Sequence, residues 1–413
     1  MMPSMDRKIP VLCSDAECTG CSACANSCSK DAISMEANNE GFLYPKINNE
    51  KCVGCLACEK SCPVINATKL DNTSNPRTFA CWNNDKDARA ESSSGGAFSA
   101  LATAVIRHGG IVIGAAYDEN MAVKHKIIKD IAGLQEIRGS KYVQSEIGDI
   151  FKEVKDLAKQ GITILFVGTP CQISGLRTYL KRDYANLYLC DFICHGVPSP
   201  LLFKEYINWI EEKKGIKITA FNFRSKRSGW YDAIRVANKE IPMKGKYDSY
   251  FFGFNKDMTL RESCYRCPAI GIPRKGDLTI ADFWGIGMRY KFDKAGEIAD
   301  GISLMMLNND KGSELFHLAK DYMTFEERDF NEALERNKPM IVPSNRPLAR
   351  DTFYQDLRSH GYGQVAKSYF KQGNKTRCVS WLRENAPRSV VVGIRNALQT
   401  LIWKRNGSKA LPK

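Results

Sequence analysis

The sequence has no apolar run approaching the roughly 18 residues of a membrane-spanning helix. Its first residues, Met1-Met2-Pro3-Ser4-Met5-Asp6-Arg7-Lys8, lack the apolar core of a secretory leader. No dinucleotide fingerprint stands between a strand and a helix. The nearest match to G-x-G-x-x-G/A, Gly361-Tyr362-Gly363-Gln364-Val365-Ala366, follows a charged helical stretch. Acidic residues almost vanish from the C-terminal end. From Lys371 to Lys413 there are ten Lys/Arg against one acid, Glu384, so this stretch supplies +9 of the net +14. A basic tail is a common footprint of nucleic-acid binding, but no nucleic-acid motif accompanies it, and a nucleic-acid partner is not expected.

Cysteine is what the chain has in excess. Sixteen cysteines in 413 residues, with no export signal, point to metal ligation in a reducing cytosol rather than to disulfides. A cytoplasmic location is therefore expected. Eight of them form two ladders, Cys18-Cys21-Cys24-Cys28 and Cys52-Cys55-Cys58-Cys62, the second closed by Pro63. Each reads C-x2-C-x2-C-x3-C, the ligand spacing of a ferredoxin module holding two 4Fe-4S cubanes. Three cysteines two residues apart let one tight loop wrap three irons, and the fourth ligand comes from the other ladder. Cys18, Cys21, Cys24 and Cys62 are thus assigned to one cluster, and Cys52, Cys55, Cys58 and Cys28 to the other. The first ladder ends Cys28-Ser29 where proline is usual, which loses a turn constraint but no ligand. Zinc would favour two C-x2-C pairs with a longer gap. The ladders imply single-electron transfer.

The expected organisation is a ferredoxin-type module at 1–66, a polar linker at 67–77, a large domain at 78–345 and a basic helical tail at 346–413. The large domain has an α/β pattern. Helices are expected over Phe98–Arg107, Gly148–Lys159, Ile173–Lys181 and Pro200–Glu212, and strands over Gly110–Tyr117, Ile162–Val167 and Leu187–Ile193. Residues 217–290 look β-rich. This order suggests a partly parallel sheet with ligands at strand C-terminal ends.

Two loops place a cysteine just past a buried strand: Gly168-Thr169-Pro170-Cys171-Gln172 and Ile193-Cys194-His195-Gly196. Cys264 and Cys267 add a C-x2-C. Together these make four thiolates, enough for a third cubane, although a lone strand-end cysteine is more often a packing residue or a small polar contact. Ser92-Ser93-Ser94-Gly95-Gly96 precedes a helix. Small residues there expose backbone N–H groups that suit a phosphate, or they simply cap the helix. Arg138-Gly139-Ser140-Lys141-Tyr142-Val143-Gln144-Ser145 combines a cation, a ring and hydrogen-bonding groups, with an ordinary loop as the alternative. Cys13, Cys81, Cys190 and Cys378 are left over, and the apolar settings of Cys81 and Cys190 suit packing.

Four motifs occur in a telling order: Glu91-Ser92-Ser93-Ser94-Gly95-Gly96, Gly168-Thr169-Pro170-Cys171-Gln172, Ile193-Cys194-His195-Gly196-Val197-Pro198 and Asp277-Leu278-Thr279-Ile280-Ala281-Asp282-Phe283-Trp284-Gly285. Over roughly residues 15–290 the chain resembles the beta-subunit family of coenzyme F₄₂₀ (deazaflavin) hydrogenase and dehydrogenase, to which the plant 7-hydroxymethyl chlorophyll a reductase is also similar. The resemblance implies an α/β (α+β) flavin-binding domain with a mixed sheet, preceded by a small ferredoxin-type domain with two 4Fe-4S clusters. It implies FAD, cradled by Ser92, Ser93, Ser94, Gly95 and Gly96 and met by Lys141, Tyr142, Gln144 and Ser145. It also implies a further 4Fe-4S cluster on Cys171, Cys194, Cys264 and Cys267. His195 is then a candidate proton donor to flavin or a tuner of the cluster, and Asp282 a candidate holder of flavin or of the substrate entrance. A structural loop and a hydrogen-bonded turn are the respective alternatives.

The implied function is an iron–sulfur flavoprotein oxidoreductase. It relays electrons between a ferredoxin-like carrier, the clusters and FAD, and reduces or oxidises an organic or deazaflavin substrate. A pyridine nucleotide docking directly on the flavin stays open. The alternative is a non-catalytic electron-transfer subunit of a larger redox complex. In the tail, Ser389–Trp403 carries Val391, Ile394, Leu398, Leu401 and Ile402 at helical spacing between basic residues. Such a helix can pack on its own domain, or lie on an anionic membrane or a partner surface.

Overall fold

The computed structural model describes residues 8–67, 72–370, 381, 385–394 and 397. Part of the expected linker, Cys378 and most of the expected Ser389–Trp403 helix lie outside the described residues. The internal repeat of the two ladders reappears in the backbone of the module. Each ladder turns through a glycine and a second left-handed residue, Gly20 (φ 66°) with Ser22 (φ 62°) and Gly54 (φ 72°) with Leu56 (φ 59°). Each then enters a one-turn helix, Ala23–Asn26 or Ala57–Lys60. Between the ladders lies an antiparallel hairpin of β1 (Ile33–Ala37) and β2 (Leu43–Ile47).

The large domain is built on an eight-stranded mixed sheet. Its strands are β3 (Arg77–Asn83), β4 (Ile111–Tyr117), β5 (Val123–Ile128), β6 (Ile164–Gly168) and β7 (Leu187–Phe192), then β11 (Leu278–Asp282), β12 (Ser303–Leu307) and β13 (Met323–Arg328). Between them in sequence, β8 (Phe221–Ser225), β9 (Ile234–Ala237) and β10 (Ile241–Pro242) make a separate antiparallel ribbon. The order across the large sheet is β13-β3-β12-β11-β7-β6-β4-β5. The four central strands β11, β7, β6 and β4 are parallel, and the flanking pairs are antiparallel. The alternation of side chains along a strand divides the core in two. Val112, Leu165, Cys190 and Met305 face the helices Ala97–Arg107 and Asp310–Ala319. Ile113, Phe166 and Leu189 face Ile150–Lys159 and Pro170–Leu180. Cys81 and Cys190 are wholly buried in the first of these layers, as packing residues are.

Two stretches depart from expectation. Residues 217–290 contain few strand residues, because the aromatic run within them folds as the helix Ser249–Asn255 and joins a cluster of rings around Tyr142. The helix Arg350–Tyr369, expected at the head of the tail, is part of the body. Phe353, Tyr354, Leu357 and Val365 are buried in one core with Phe203 and Tyr206. The Arg350 guanidinium is buried and grips both carboxylate oxygens of Glu40, at the tip of the module's hairpin, at 2.8 and 2.6 Å. Residues 388–394 are helical, and Arg388 pairs with Asp300 on the body. Among the described residues no helix is long and apolar enough to cross a membrane.

Candidate functional site

The module encloses two small cavities. Cys18, Cys21, Cys24 and Cys62 line one, and Cys28, Cys52, Cys55 and Cys58 line the other, so each cavity draws three cysteines from one ladder and the last from the other. Among the described residues no set of three or more His, Cys, Asp or Glu side chains closes tightly enough for a single metal ion. Thiolates around an iron–sulfur cage stand wider apart than those holding one zinc at about 2.3 Å. A fifth thiol joins the first cavity: Cys13 Sγ lies 3.8 Å from Cys62 Sγ. Nothing in the ladder spacing announces it.

Cys171, Cys194, Cys264 and Cys267 are also brought together. Burial pushes all four thiols up, Cys171 to about 11 and Cys264 to about 12, and every pairing among the four adds to the effect. Four buried thiols that oppose one another's ionisation are a poor core but a suitable donor set for a cationic iron–sulfur cage. Local sequence explains the convergence. Thr169 and Gln172 form a reciprocal capping box with Pro170 at the first helical position, so the helix Pro170–Leu180 starts earlier than its apolar spacing suggests. Cys171 thereby sits at the positive end of the helix. Gly196, at φ 138°, lets the later loop pass close: a Cβ there would lie 2.7 Å from Leu260 and 3.3 Å from Cys264. The segment after Cys267 is tied to the end of β7 by buried Asp191. Its carboxylate accepts from Arg274 (3.2 Å), the backbone N–H groups of Lys275 (3.0 Å) and Gly276 (2.9 Å), and the Thr279 hydroxyl (2.6 Å).

Beside this set opens a cavity of about 690 Å³ at the C-terminal ends of the four parallel strands. Open parallel sheets place their ligands there. Cys171 and Cys194 form part of its wall. Ser92, Ser93, Ser94 and Gly96 line it together with the uncapped first turn of the helix Ala97–Arg107. Gly95 does not. It packs against the sheet, where a Cβ would meet Cys81 O at 2.5 Å and Ser303 N at 2.6 Å. The serine hydroxyls are already engaged: Ser92 donates to Ala88 O (2.6 Å), Ser94 donates to Ile302 O (2.8 Å), and Ser93 accepts from Ser140 N–H (2.8 Å). The loop therefore offers backbone groups to the cavity more readily than hydroxyls.

The adjoining stretch of the lining holds Lys141, Tyr142, Gln144 and Ser145. Desolvation pulls the Lys141 ammonium down to about 7, while its Nζ donates to Glu136 O and Arg138 O. Gln144 is shared with the module: it donates to Thr19 O (3.0 Å) and accepts from Arg261 (3.0 Å). Ser145 bonds His125 Nδ1 at 3.1 Å and receives Gln172 Nε2 at 3.0 Å, and burial lowers His125 to about 4.

His195 also lines the cavity. Its Nε2 lies 2.6 Å from Asp257 Oδ1, and Phe254 flanks its ring, so it is an oriented imidazole beside Cys194. Asp282 lines the cavity too, with its carboxylate engaged by neighbouring side chains. It accepts from Arg224 at 3.1 and 3.3 Å and from Trp230 Nε1 at 2.5 Å. Burial works against charge on Arg224, and Asp282 and Tyr142 more than offset it. The two oxygens of Asp282 are thus already taken up by three donors. Its evident task is to hold Arg224 over Trp284, which stacks on Trp230 with ring centroids 4.8 Å apart. Arg224 and Tyr231, from one stretch, thus meet Trp284 from another in a cavity wall, and sequence reasoning missed the first two because their partner lies far along the chain. Asp282→Asn leaves the buried guanidinium uncompensated, with an expected loss of about 3–5 kcal/mol in chemical unfolding. Replacing both Asp282 and Arg224 with apolar residues should cost less than that single change.

A search of curated proteins gives no match. The F₄₂₀-reducing nickel–iron hydrogenase complex from Methanosarcina barkeri contains a chain that is 14% identical, with 73% of this chain and 94% of that chain covered at a TM-score of 0.43. The family model for a 4Fe-4S dicluster domain matches residues 17–66. The models for the N-terminal and C-terminal parts of the coenzyme F₄₂₀ hydrogenase/dehydrogenase beta subunit match residues 78–152 and 162–333. With an N-terminal iron–sulfur module joined to both parts of that subunit in sequence order, the chain belongs to the coenzyme F₄₂₀ hydrogenase/dehydrogenase beta-subunit family.

Proposed function

We propose that this iron–sulfur redox subunit is a flavoenzyme. In this reading FAD sits in the large cavity, and a third 4Fe-4S cluster is held by Cys171, Cys194, Cys264 and Cys267. The observation that carries the reading is the position of Cys171. It lines the cavity on one side, and one turn further along its helix Gly175 packs directly against Cys21 of the module. The four-cysteine set therefore stands between the ladder cysteines and the cavity. The residues present fit FAD: the volume lies within the range of about 300–1,000 Å³ usual for cofactor sites. An uncapped helix start lies at one end for an anionic group, and an aromatic wall with Arg224 and Lys141 is available for a ring system. When bound, FAD exchanges electrons in pairs with an organic or deazaflavin substrate and the clusters move them singly.

The chain's own contribution is placement. Ser93, Ser94 and Gly96 offer backbone donors, Lys141 brings an ammonium poised near neutrality, and Asp257 holds the His195 ring at the cavity edge. The proposed partner is a ferredoxin-like carrier docking on the module. Anaerobic purification with iron, sulfide and flavin analysis tests the reading. About twelve irons and one FAD per chain are expected, and about eight irons with no flavin would overturn it. A second reading, an electron-transfer subunit of a larger redox complex, is favoured by exposed apolar side chains on the module: Val11, Val53 and Ile65. Flavin that is reduced but never reoxidised by a small molecule would select it.

A further inference from the structure

Three arginines are among the largest side chains buried almost completely in the protein: Arg261, Arg274 and Arg350. Two have carboxylates, Asp191 for Arg274 and Glu40 for Arg350. Arg261 is 0% exposed, yet among the described residues no carboxylate forms an ion pair with it. Its donors go to neutral oxygens instead: Nε to Cys18 O at 2.7 Å, Nη1 to Gln144 Oε1 at 3.0 Å and Nη2 to Leu43 O at 3.0 Å. Its guanidinium lies over the Tyr44 ring at 4.1 Å. Hydrogen bonds are therefore satisfied but charge is not, and a buried charge without a counter-ion is strongly unfavourable.

The surroundings supply the missing charge. Arg261 is joined to a proposed ligand of each of two clusters. Its side chain holds the carbonyl of Cys18, and its own carbonyl accepts from Cys264 N–H at 2.9 Å. Space for the guanidinium is provided by Gly20, where a Cβ would sit 2.8 Å from Nη1. A cubane with four thiolates is an anion, and one-electron reduction adds a further negative charge. We propose that Arg261 is a positioning residue and the shared counter-charge of two clusters, the inner one of the module (Cys18, Cys21, Cys24, Cys62) and the one on Cys171, Cys194, Cys264 and Cys267. This rests on the reading of the latter four as a cluster site. The buried cation favours the reduced form at both sites and so raises both reduction potentials, net charge and hydrogen bonding being the protein's means of tuning such clusters. The outer cluster, on Cys28, Cys52, Cys55 and Cys58, has no such contact with Arg261.

The test uses the full chain with Arg261→Gln and Arg261→Lys, purified anaerobically, with iron analysis and potentiometric titration followed by EPR. At wild-type iron content, Arg261→Gln is expected to lower two of the three potentials and leave the third in place, and Arg261→Lys to restore them towards wild type. Unmoved potentials, or an equal shift of all three, would overturn the proposal. If Arg261→Gln sheds iron, the lysine variant decides. Retained iron and near-wild-type potentials support a role for charge, and loss of the same iron despite the retained charge overturns it. A wild-type count near eight irons instead defeats the third-cluster reading itself, whereas twelve irons with unmoved potentials defeat only the role of Arg261.

Discussion

Alanine at both Cys264 and Cys267 is expected to lower the iron content from about twelve to about eight per chain. It should bring flavin reduction by a protein electron donor down to background, while a small chemical reductant still bleaches the flavin directly. Two features make the variant informative rather than merely unfolded. The strand ends and the segment after Cys267 are held by the Asp191 network, which uses neither cysteine. The module's two cavities take none of their cysteines from this loop. Iron content unchanged from wild type would show that the four-cysteine set holds no cluster.

The second large effect is expected at Gly175, in the middle of the helix that begins beside Cys171. Glycine inside a helix is ordinarily worse than alanine by about 1 kcal/mol, so Gly175→Ala should stabilise a helix with a free face. Here a Cβ would lie 2.8 Å from Cys21 Sγ, 2.9 Å from Cys21 Cβ and 3.5 Å from the Phe151 ring. The module cannot simply back away. Thr178 Oγ1 donates to Ser61 O at 2.7 Å and Asn26 Nδ2 to Gly148 O at 2.8 Å, which pins it on both sides. Gly175→Ala is therefore expected to destabilise by about 1–3 kcal/mol. Gly175→Leu should displace Cys21 and remove the inner cluster, with the EPR signal of the outer cluster retained. A Gly175→Ala protein more stable than wild type would mean that the module does not press on this helix.

The ladders were legible because ligand spacing is a local property: three cysteines on one tight loop carry their geometry with them. The strand-end cysteines were legible as positions, since an apolar β-branched run followed by Gly-Thr-Pro-Cys announces where a parallel strand stops. Their grouping was not, because Cys264 reaches Cys194 only through the close passage at Gly196. The antiparallel half of the sheet was hidden for a similar reason. β3 lies between β12 and β13, whose residues come more than two hundred positions later. Asp282 was recognised as notable, but its partners Arg224 and Trp230 are distant in sequence, and with them its task as an anchor. Gly95 was read as a cradle residue from composition, whereas its need for glycine comes from the sheet behind it. The helix Arg350–Tyr369 directly precedes the basic stretch in sequence, yet the side chains that place it in the body are Phe353, Tyr354 and Leu357 on its buried side.

The grip of Arg350 on Glu40 has a consequence for how the protein is made. Synthesis runs from the N-terminus, so the ladders emerge from the ribosome long before the residue that clamps the hairpin between them. For some three hundred residues of elongation the hairpin lacks this salt bridge, although Ser199, which bonds Glu40 O, and Arg261, which bonds Leu43 O, are made earlier. The hairpin is thus fastened to the body in stages, by Ser199 first, then Arg261, and last by Arg350.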